Sequence, residues 1–324
     1  MSDPTVATDR PWAVDVHAHF LIPDDTVLTA AAKEGKYAGP QGIWSPESAM
    51  TFMDANHIRM QLLSFPMPLP AEMARRFNDY AASVVAAHPG RFGMLANIPL
   101  GDPDPEVALR EIDRAADELN ADGFLLVTNY GGKYLGDPAF EPVFAALNQR
   151  RATALIHPIH PAGFDLVSCG RPAPLIEYPM DTARSVVDAI WAGVMSRHPD
   201  VNLILAHAGG VLPVLAPRIL DLGPMEWVPG PANGITYDEV RELLSRLYCD
   251  TAIAGRDSAL KPLLDMIDSS HVVFGTDYPA AGPSVIDANL AALSKTQLLT
   301  EAELFAVATN AIQIFPSLEH RMVS

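Results

Sequence analysis

The sequence predicts an α/β fold, specifically a (β/α)₈ TIM barrel with inserted loops. Short apolar segments alternate eight times with segments of helical character along the chain. No low-complexity segment and no abrupt change of composition divides the 324 residues. The chain is somewhat longer than the ~250 residues typical of such a barrel, which leaves room for long connections. We therefore expect residues 1–324 to form a single barrel domain.

The eight apolar segments are the expected strands of the barrel, because a parallel sheet covered on both faces has nearly continuous apolar strands. Two intervening segments carry clear helix signals: PESAMTFMDANH, with Ser45 as N-cap and Pro46 in the first turn, and EVALREIDRAADEL, with apolar residues at helical spacing. The predicted strands are AVDVH (13–17), RMQLLSF (59–65), FGMLANI (92–98), GFLLVTN (123–129), ATALIH (152–157), NLILAH (202–207), LYCDTA (247–252) and HVVFGTD (271–277).

A doubly wound parallel sheet is the alternative fold, and it would require a nucleotide-binding glycine motif after an early strand. The glycine pairs at 131–132 and 209–210 fit neither GxGxxG nor GxxxxGK[ST]. The barrel is therefore favoured. Its predicted long connections, which in compact domains are often functional, are residues 35–46, 158–180 and 223–234.

The charge of the chain limits its partners. A formal net charge of −17 predicts repulsion from nucleic acid and from an anionic membrane surface. The expected ligand is therefore a small molecule. The sequence does not fix the oligomeric state, and a homodimer is one option.

Cysteine usage and the absence of targeting signals predict a cytoplasmic protein. Cys169 and Cys249 are too few for a disulfide framework and have no CxxC spacing. The first eleven residues, MSDPTVATDRP, lack the apolar core of a signal peptide, and no run of about 18 apolar residues occurs. We expect no membrane anchor.

The first predicted strand leads into two histidines one residue apart, in VDVHAHF. Side chains on a strand alternate between its two faces, so His17 and His19 are expected on one face. Two imidazoles on one face offer two nitrogen ligands to a metal ion. A single such motif also fits two ordinary hydrogen-bonded histidines, so the remaining strands decide between these interpretations.

Residues able to bind metal or transfer protons follow four predicted strands, at the end of the barrel where active sites form. His17 and His19 end the first strand, His157 the fifth, His207 the sixth and Asp277 the eighth. Taken singly, each of these residues also fits a purely structural role, such as packing, burial as a core histidine or helix capping. Together, three imidazoles and a carboxylate are a typical ligand set for Zn²⁺.

His160 competes with His157 for the role of ligand in LIHPIHP. His157 is favoured because it directly ends the strand, whereas His160 lies in the following loop, where strand geometry no longer fixes its position.

The motif order HxH, HP, HAGG and GTDYP resembles the amidohydrolase superfamily, within it the branch of aminocarboxymuconate-semialdehyde decarboxylase. The resemblance extends from VDVHAHF to NAIQIFPSL. Longer stretches are most similar to the 6-methylsalicylate decarboxylase group: GIWSPESAMTFMDANHIRMQLLSF, NYGGKYLGDPAFEPVFAAL, GRPAPLIEYPMDTARSVVDAIWAGVMSRHPD and CDTAIAGRDSALKPLL.

The resemblance implies His17, His19, His157 and Asp277 as ligands of one divalent metal ion, with His207 as the acid/base beside them. Zn²⁺ is the expected ion and Mn²⁺ the alternative. Two-metal amidohydrolases usually have a bridging lysine at the end of the fourth strand, and GFLLVTNY has none, so a mononuclear site is expected.

The resemblance does not extend to every substrate-binding residue. The arginine that semialdehyde decarboxylases place before the second strand has no counterpart in GPQGIWSPESAM, so their substrate is not implied. Other residues are candidates to line a pocket for a small carboxylic acid, although each also fits a purely structural role: Trp44, Tyr130, Arg171 and Tyr178.

The favoured function is a metal-dependent, non-oxidative decarboxylase of a small aromatic acid similar to 2-hydroxybenzoate. The alternative is a hydrolase of an ester, thioester, lactone or amide, in which a metal-bound water attacks and Asp277 or His207 takes the proton. The ligand set fits both reactions, so the preference follows from the family resemblance. A binding or scaffold protein is disfavoured because every position of the motif set is filled.

Overall fold

The structure, a computed structural model, describes residues 13–22, 44–231 and 234–322. The first eleven residues and most of the predicted connection 35–46 therefore lie outside the described residues. The described residues form a sheet of eight parallel strands with helices between them.

Every predicted strand segment overlaps one strand of this sheet, and the predicted (β/α)₈ architecture is confirmed. The strands neighbour each other in the order β1-β2-β3-β4-β7-β8-β9-β10, while β5 and β6 form a separate antiparallel hairpin. Their bounds are β1 Ala13–His19, β2 Ile58–Ser64, β3 Phe92–Asn97, β4 Gly123–Val127, β5 Asn129–Tyr130, β6 Lys133–Tyr134, β7 Thr153–His157, β8 Asn202–Leu205, β9 Tyr248–Asp250 and β10 Val272–Val273.

The barrel closes between β1 and the segment that follows β10. The Val16 N–H donates to the Phe274 carbonyl at 3.0 Å, and the His19 N–H donates to the Tyr278 carbonyl at 2.7 Å. Because these bonds join the last strand region to the first, the C-terminal ends of the strands surround one mouth.

Helices separate most successive strands of the barrel. Helix α1 begins as predicted, since Ser45 Oγ accepts a hydrogen bond from the Ser48 N–H at 3.1 Å and Ser48 Oγ accepts one from the Ser45 N–H at 2.8 Å. The described helices are α1 Pro46–Ala55, α2 Ala71–Ala87, α3 Pro105–Asp117, α4 Glu141–Gln149, α5 Phe164–Val167, α6 Glu177–Trp191, α7 Val194–Arg197, α8 Leu212–Leu222, α9 Tyr237–Ser245, α10 Asp257–Met266, α11 Pro283–Leu293, α12 Glu301–Thr309, α13 Ala311–Ile314 and α14 Ser317–Met322.

The connection between β7 and α6 is shorter than the predicted 158–180, because α6 already begins at Glu177. The connection also contains the short helix α5. The described residues of the connection 223–234 lie between α8 and α9, as predicted. None of the described helices combines the length and apolar character needed to span a membrane.

The C-terminal residues cover the end of the barrel opposite the mouth. Thr153, the first residue of β7, donates its hydroxyl to the Ile314 carbonyl at 2.6 Å. Phe315 and Leu318 are fully buried in a cluster with apolar side chains of the barrel strands. This end is therefore filled by packing, which leaves the C-terminal ends of the strands for chemistry.

Candidate metal centre

The structure brings all five strand-end residues together at the mouth of the barrel. The ring centroid of His17 lies 4.9 Å from that of His19, 5.0 Å from that of His157 and 4.8 Å from that of His207. One ligand atom from each of His17, His157, His207 and Asp277 lies within 4.8 Å of the others. His19 joins them, with Nε2 3.1 Å from Asp277 Oδ1.

Unusual backbone geometry places some of these side chains. The pairing of β1 with β2 shifts register between Asp15 and Ala18, within the strand segment that carries His17. His207 and Asp277 both adopt left-handed backbone conformations, with φ of 55° and 62°. Such conformations cost about 1–3 kcal/mol each in residues other than glycine and persist where the surrounding structure enforces them.

Two imidazoles have their tautomer fixed by backbone carbonyls. His157 Nδ1 lies 2.7 Å from the Pro158 carbonyl oxygen, and His207 Nδ1 lies 3.2 Å from the Ala252 carbonyl oxygen. A carbonyl oxygen can only accept a hydrogen bond, so both Nδ1 atoms carry the proton. The Nε2 atoms of His157 and His207 therefore keep their lone pairs.

The other two imidazoles are fixed by side chains. His17 Nδ1 donates to Asp250 Oδ2 at 2.7 Å. Ser64 Oγ donates to the Ala18 carbonyl at 3.2 Å, so it accepts from His19 Nδ1, 3.1 Å away. All four imidazoles thus use Nδ1–H for an outer hydrogen bond and turn Nε2 toward the centre of the cluster, the arrangement typical of metal-ligating histidines.

The spacing of the innermost atoms fits a divalent metal ion. His17 Nε2 and His19 Nε2 are 3.1 Å apart, and Asp277 Oδ1 lies 3.4 Å from the first and 3.1 Å from the second. When His17 Nε2 has lost its proton, three atoms with lone pairs at such distances repel one another unless a metal cation lies between them. Two ligands bound at about 2.1 Å lie roughly 3.0–3.4 Å apart, so the donor set matches in both chemistry and spacing.

The carboxylates make the cluster favour positive charge. Burial opposes protonation of His17, but the charge and hydrogen bond of Asp250 outweigh it and, with Asp277, raise the pKa of His17 to about 9. Burial likewise opposes ionisation of Asp277, yet the contact with His19 and the charge of the neighbouring His17 lower the pKa of Asp277. Asp277 is therefore an ionised carboxylate suited to a cation.

The other imidazoles are held neutral. Burial lowers the pKa of His19, lowers the pKa of His157 well below its ordinary range, and lowers the pKa of His207. Neutral imidazole is the form that binds metal, so an ion bound here would displace the second proton of His17. His207 differs in exposure, since His17, His19 and His157 are buried and His207 is partly exposed.

Sequence reasoning missed the carboxylate and hydroxyl groups that hold these histidines. Asp250 also accepts from the His207 N–H at 2.9 Å, so it fixes two of the four imidazole residues. Asp15 Oδ1 accepts from the His17 N–H at 3.1 Å. Asp15, Ser64 and Asp250 each lie in or beside the apolar strand segments AVDVH, RMQLLSF and LYCDTA, and a polar residue in such a segment is the signal that could have identified them.

Of the predicted pocket residues, Tyr178 lies beside the cluster. Its ring centroid is 6.3 Å from that of His157 and 5.9 Å from that of His160. Burial raises the pKa of Tyr178 to about 12, and the nearby charge of Asp277 adds to the effect. Its hydroxyl therefore stays protonated and can donate a hydrogen bond. His160 is itself exposed in the loop after β7.

The other three predicted pocket residues make their described contacts elsewhere. Trp44 packs in an aromatic cluster, with its ring centroid 6.0 Å from that of Phe20. The Tyr130 hydroxyl accepts from the Val127 N–H at 3.1 Å, and Arg171 is exposed on the connection before α6. Their role in substrate binding stays a prediction.

Residues 14–316, which include the whole cluster, match the protein family described as Amidohydrolase. The chain belongs to the amidohydrolase family. Its relatives include 6-methylsalicylic acid decarboxylase of Penicillium expansum, 32% identical over 94% of this chain and 97% of the relative. Gamma-resorcylate decarboxylase of Rhodococcus jostii is 27% identical over 82% of this chain and 88% of the relative.

Solved structures of the amidohydrolase type share the fold. The crystal structure of 2,6-dihydroxybenzoate decarboxylase from Rhizobium superposes with a TM-score of 0.78 at 25% identity, covering 95% of this chain and 99% of that one. The family resemblance inferred from the motifs is confirmed.

Proposed function

We propose that this amidohydrolase catalyses the non-oxidative decarboxylation of a small aromatic acid of the 2-hydroxybenzoate type. The observation that carries the proposal is the cluster itself, in which four imidazole Nε2 atoms and an ionised carboxylate meet at the barrel mouth. Relatives that match over most of the chain decarboxylate aromatic acids, which confirms the predicted decarboxylase class and does not favour the hydrolase.

His17, His19, His157 and Asp277 would hold one divalent ion, with Zn²⁺ preferred over Mn²⁺ because three imidazoles dominate the ligand set. When bound, the ion supplies a positive charge that attracts the carboxylate and the ortho oxygen of the substrate. The small separations among His17 Nε2, His19 Nε2 and Asp277 Oδ1 support this choice of ligands.

His207 is proposed to deliver the proton to the ring. Its Nδ1–H is held by the Ala252 carbonyl, so proton transfer takes place at Nε2, which first takes up a proton from solvent. The partial exposure of His207 leaves it accessible both to that water and to a substrate. The proton adds to the ring carbon that carries the carboxylate. The carbon–carbon bond then breaks, its electron pair returns to the ring, and CO₂ leaves.

Tyr178 is proposed to orient the substrate. It lies next to His157 on the first turn of α6, and its protonated hydroxyl can donate to a carboxylate or phenolic oxygen. Water exclusion by the aromatic ring would strengthen these polar contacts.

A CO₂-release screen tests the function. Metal-loaded protein is offered 6-methylsalicylate, 2,6-dihydroxybenzoate and salicylate, with benzoate as the matched acid that lacks the ortho hydroxyl. We expect CO₂ from one or more 2-hydroxybenzoates and none from benzoate. A parallel panel of esters and lactones completes the test, because hydrolysis of these compounds without any CO₂ release would contradict the proposal.

A further inference from the structure

A continuous chain of hydrogen bonds connects the His157 ring to a buried carboxylate on α6. His157 Nδ1 donates to the Pro158 carbonyl at 2.7 Å. The N–H of the same peptide unit, on Ile159, donates to Thr128 Oγ1 at 3.2 Å. Thr128 Oγ1 donates to Asp181 Oδ2 at 2.5 Å. The chain thus passes through one peptide group and one hydroxyl.

The direction of every bond in this chain is fixed by chemistry. The Ile159 N–H can only donate, so Thr128 Oγ1 accepts there and uses its own proton toward Asp181. Thr128 and Asp181 are both completely buried. The donors therefore all point from the imidazole toward the carboxylate, and hydrogen bonds aligned in this way polarise one another.

The two oxygens of Asp181 face different parts of the protein. Oδ2 accepts from Thr128 and also from Asn129 Nδ2 at 3.0 Å. Oδ1 accepts from the Tyr134 hydroxyl and from Arg184, each at 2.7 Å. The Arg184 side chain is 48% exposed, so water weakens its hold on the negative charge. A substitution can therefore remove a hydrogen bond to one oxygen of Asp181 and leave those to the other in place.

We infer that Asp181 is a positioning residue for His157, acting through Thr128 and the peptide between residues 158 and 159. His17 receives the same support from Asp250 directly, whereas the immediate partner of His157 is only a carbonyl. The relayed carboxylate orients the His157 ring and makes Nε2 a stronger electron donor. This inference rests on the proposed metal site.

Replacing Thr128 by valine tests the relay, because valine keeps the shape of threonine and removes the hydroxyl. We expect Thr128→Val to bind Zn²⁺ about 10-fold more weakly than the parent in chelator competition, at the lower end of the range for outer-shell partners. The absorption bands of bound Co²⁺ should shift as well. Thr128→Ser retains the hydroxyl and should restore both the affinity and the spectrum.

Tyr134→Phe is the matched control, since it removes a hydrogen bond to the same carboxylate but leaves the relay intact. Thermal unfolding of the metal-free variants measures the structural cost of each change. Unchanged metal affinity in Thr128→Val, or an equal loss in Tyr134→Phe, would overturn the inference. A parent protein that binds no divalent metal would instead overturn the proposed function.

Discussion

The four imidazoles of the cluster differ in the group that accepts their Nδ1–H. Asp250 accepts from His17, Ser64 accepts from His19, and backbone carbonyls accept from His157 and His207. A carboxylate makes an imidazole more basic than a carbonyl does, and His17 is the one whose pKa is raised, to about 9. The same residue type thus differs in basicity according to its outer partner.

Removal of the His207 imidazole is expected to separate proton transfer from metal binding. His207→Ala should retain its metal, because four other ligands remain, and should lose roughly 10²- to 10⁴-fold in kcat, the usual contribution of a general acid/base. Substrate binding should change less. Steady-state kinetics and elemental analysis of the same preparation measure both quantities.

His160→Ala serves as the control for that experiment, since His160 is an exposed imidazole near the same mouth. It should retain both metal and turnover. Isolation of His207→Ala without metal would place His207 in the ligand set, and near-parent turnover in the metal-loaded variant would show that the proton comes from another group.

The residues of the cluster could be predicted because a barrel brings all of its strand ends together, whatever the details of packing. Their outer partners could not. Ser64 meets His19 only through the register of β2 against β1, and Asp250 reaches His17 from β9, past the segment that follows β10, so both contacts depend on the folded arrangement. The assignment of Trp44 and Arg171 to the pocket also depends on loop positions that no strand fixes.

At the scale of the elements, strand positions followed from apolar segments, but several strand ends did not, and the fourth strand shows why. The predicted fourth strand extends to residue 129, whereas β4 ends at Val127 and a hairpin follows. Gly131 and Gly132 both have positive φ, and the Gly132 N–H donates to Asn129 Oδ1 at 3.2 Å. This local turn reverses the chain and ends the parallel pairing.

An ion pair joins the start of α4 to α7, and we expect its contribution to stability to depend on pH. The hydrogen bond from Arg197 lowers the pKa of Glu141 from 4.5 to about 2, against a small opposing effect of burial, and His198 adds to the lowering. A depressed carboxyl pKa stabilises the fold above the unfolded value of about 4.5, and the contribution is lost as the pH falls toward 2.

Glu141→Gln should therefore lower the free energy of unfolding at pH 7 by under about 1 kcal/mol, because the two side chains are 38% and 49% exposed and solvent screens the pair. The difference from the parent should shrink as the pH is lowered below about 4.5. Thermal unfolding of the parent and the variant across this pH range measures the difference. Asp287→Asn is the control, because Asp287 is an exposed carboxylate on α11. A difference that grows on acidification would contradict the assignment.

At the scale of the whole molecule, the two ends of the barrel have separate tasks. The end filled by Phe315 and Leu318 is apolar and packed, while the opposite end collects buried imidazoles and carboxylates. Burying these groups costs free energy unless they are paired with one another or with a metal. The metal site is therefore also expected to affect the stability of the fold.

We expect purified protein to carry close to one divalent ion per chain. The fourth strand ends in Val127, followed by Thr128 and Asn129, so the lysine that bridges two metals in related proteins has no counterpart there. Elemental analysis after desalting measures the ratio. Two tightly held ions per chain would contradict a mononuclear centre.

The same ion should stabilise the folded chain, because a ligand that binds only the native state adds about 4 kcal/mol when its free concentration is 1,000 times Kd. Chelation should therefore lower the Tm of the parent, and addition of Zn²⁺ should restore it. His157→Ala should have lower metal content and a smaller response of Tm to chelator, since His157 Nε2 is a proposed ligand held in place by the Pro158 carbonyl. His160→Ala should behave like the parent, and equal metal loss in the two variants would show that the ligand was assigned to the wrong imidazole.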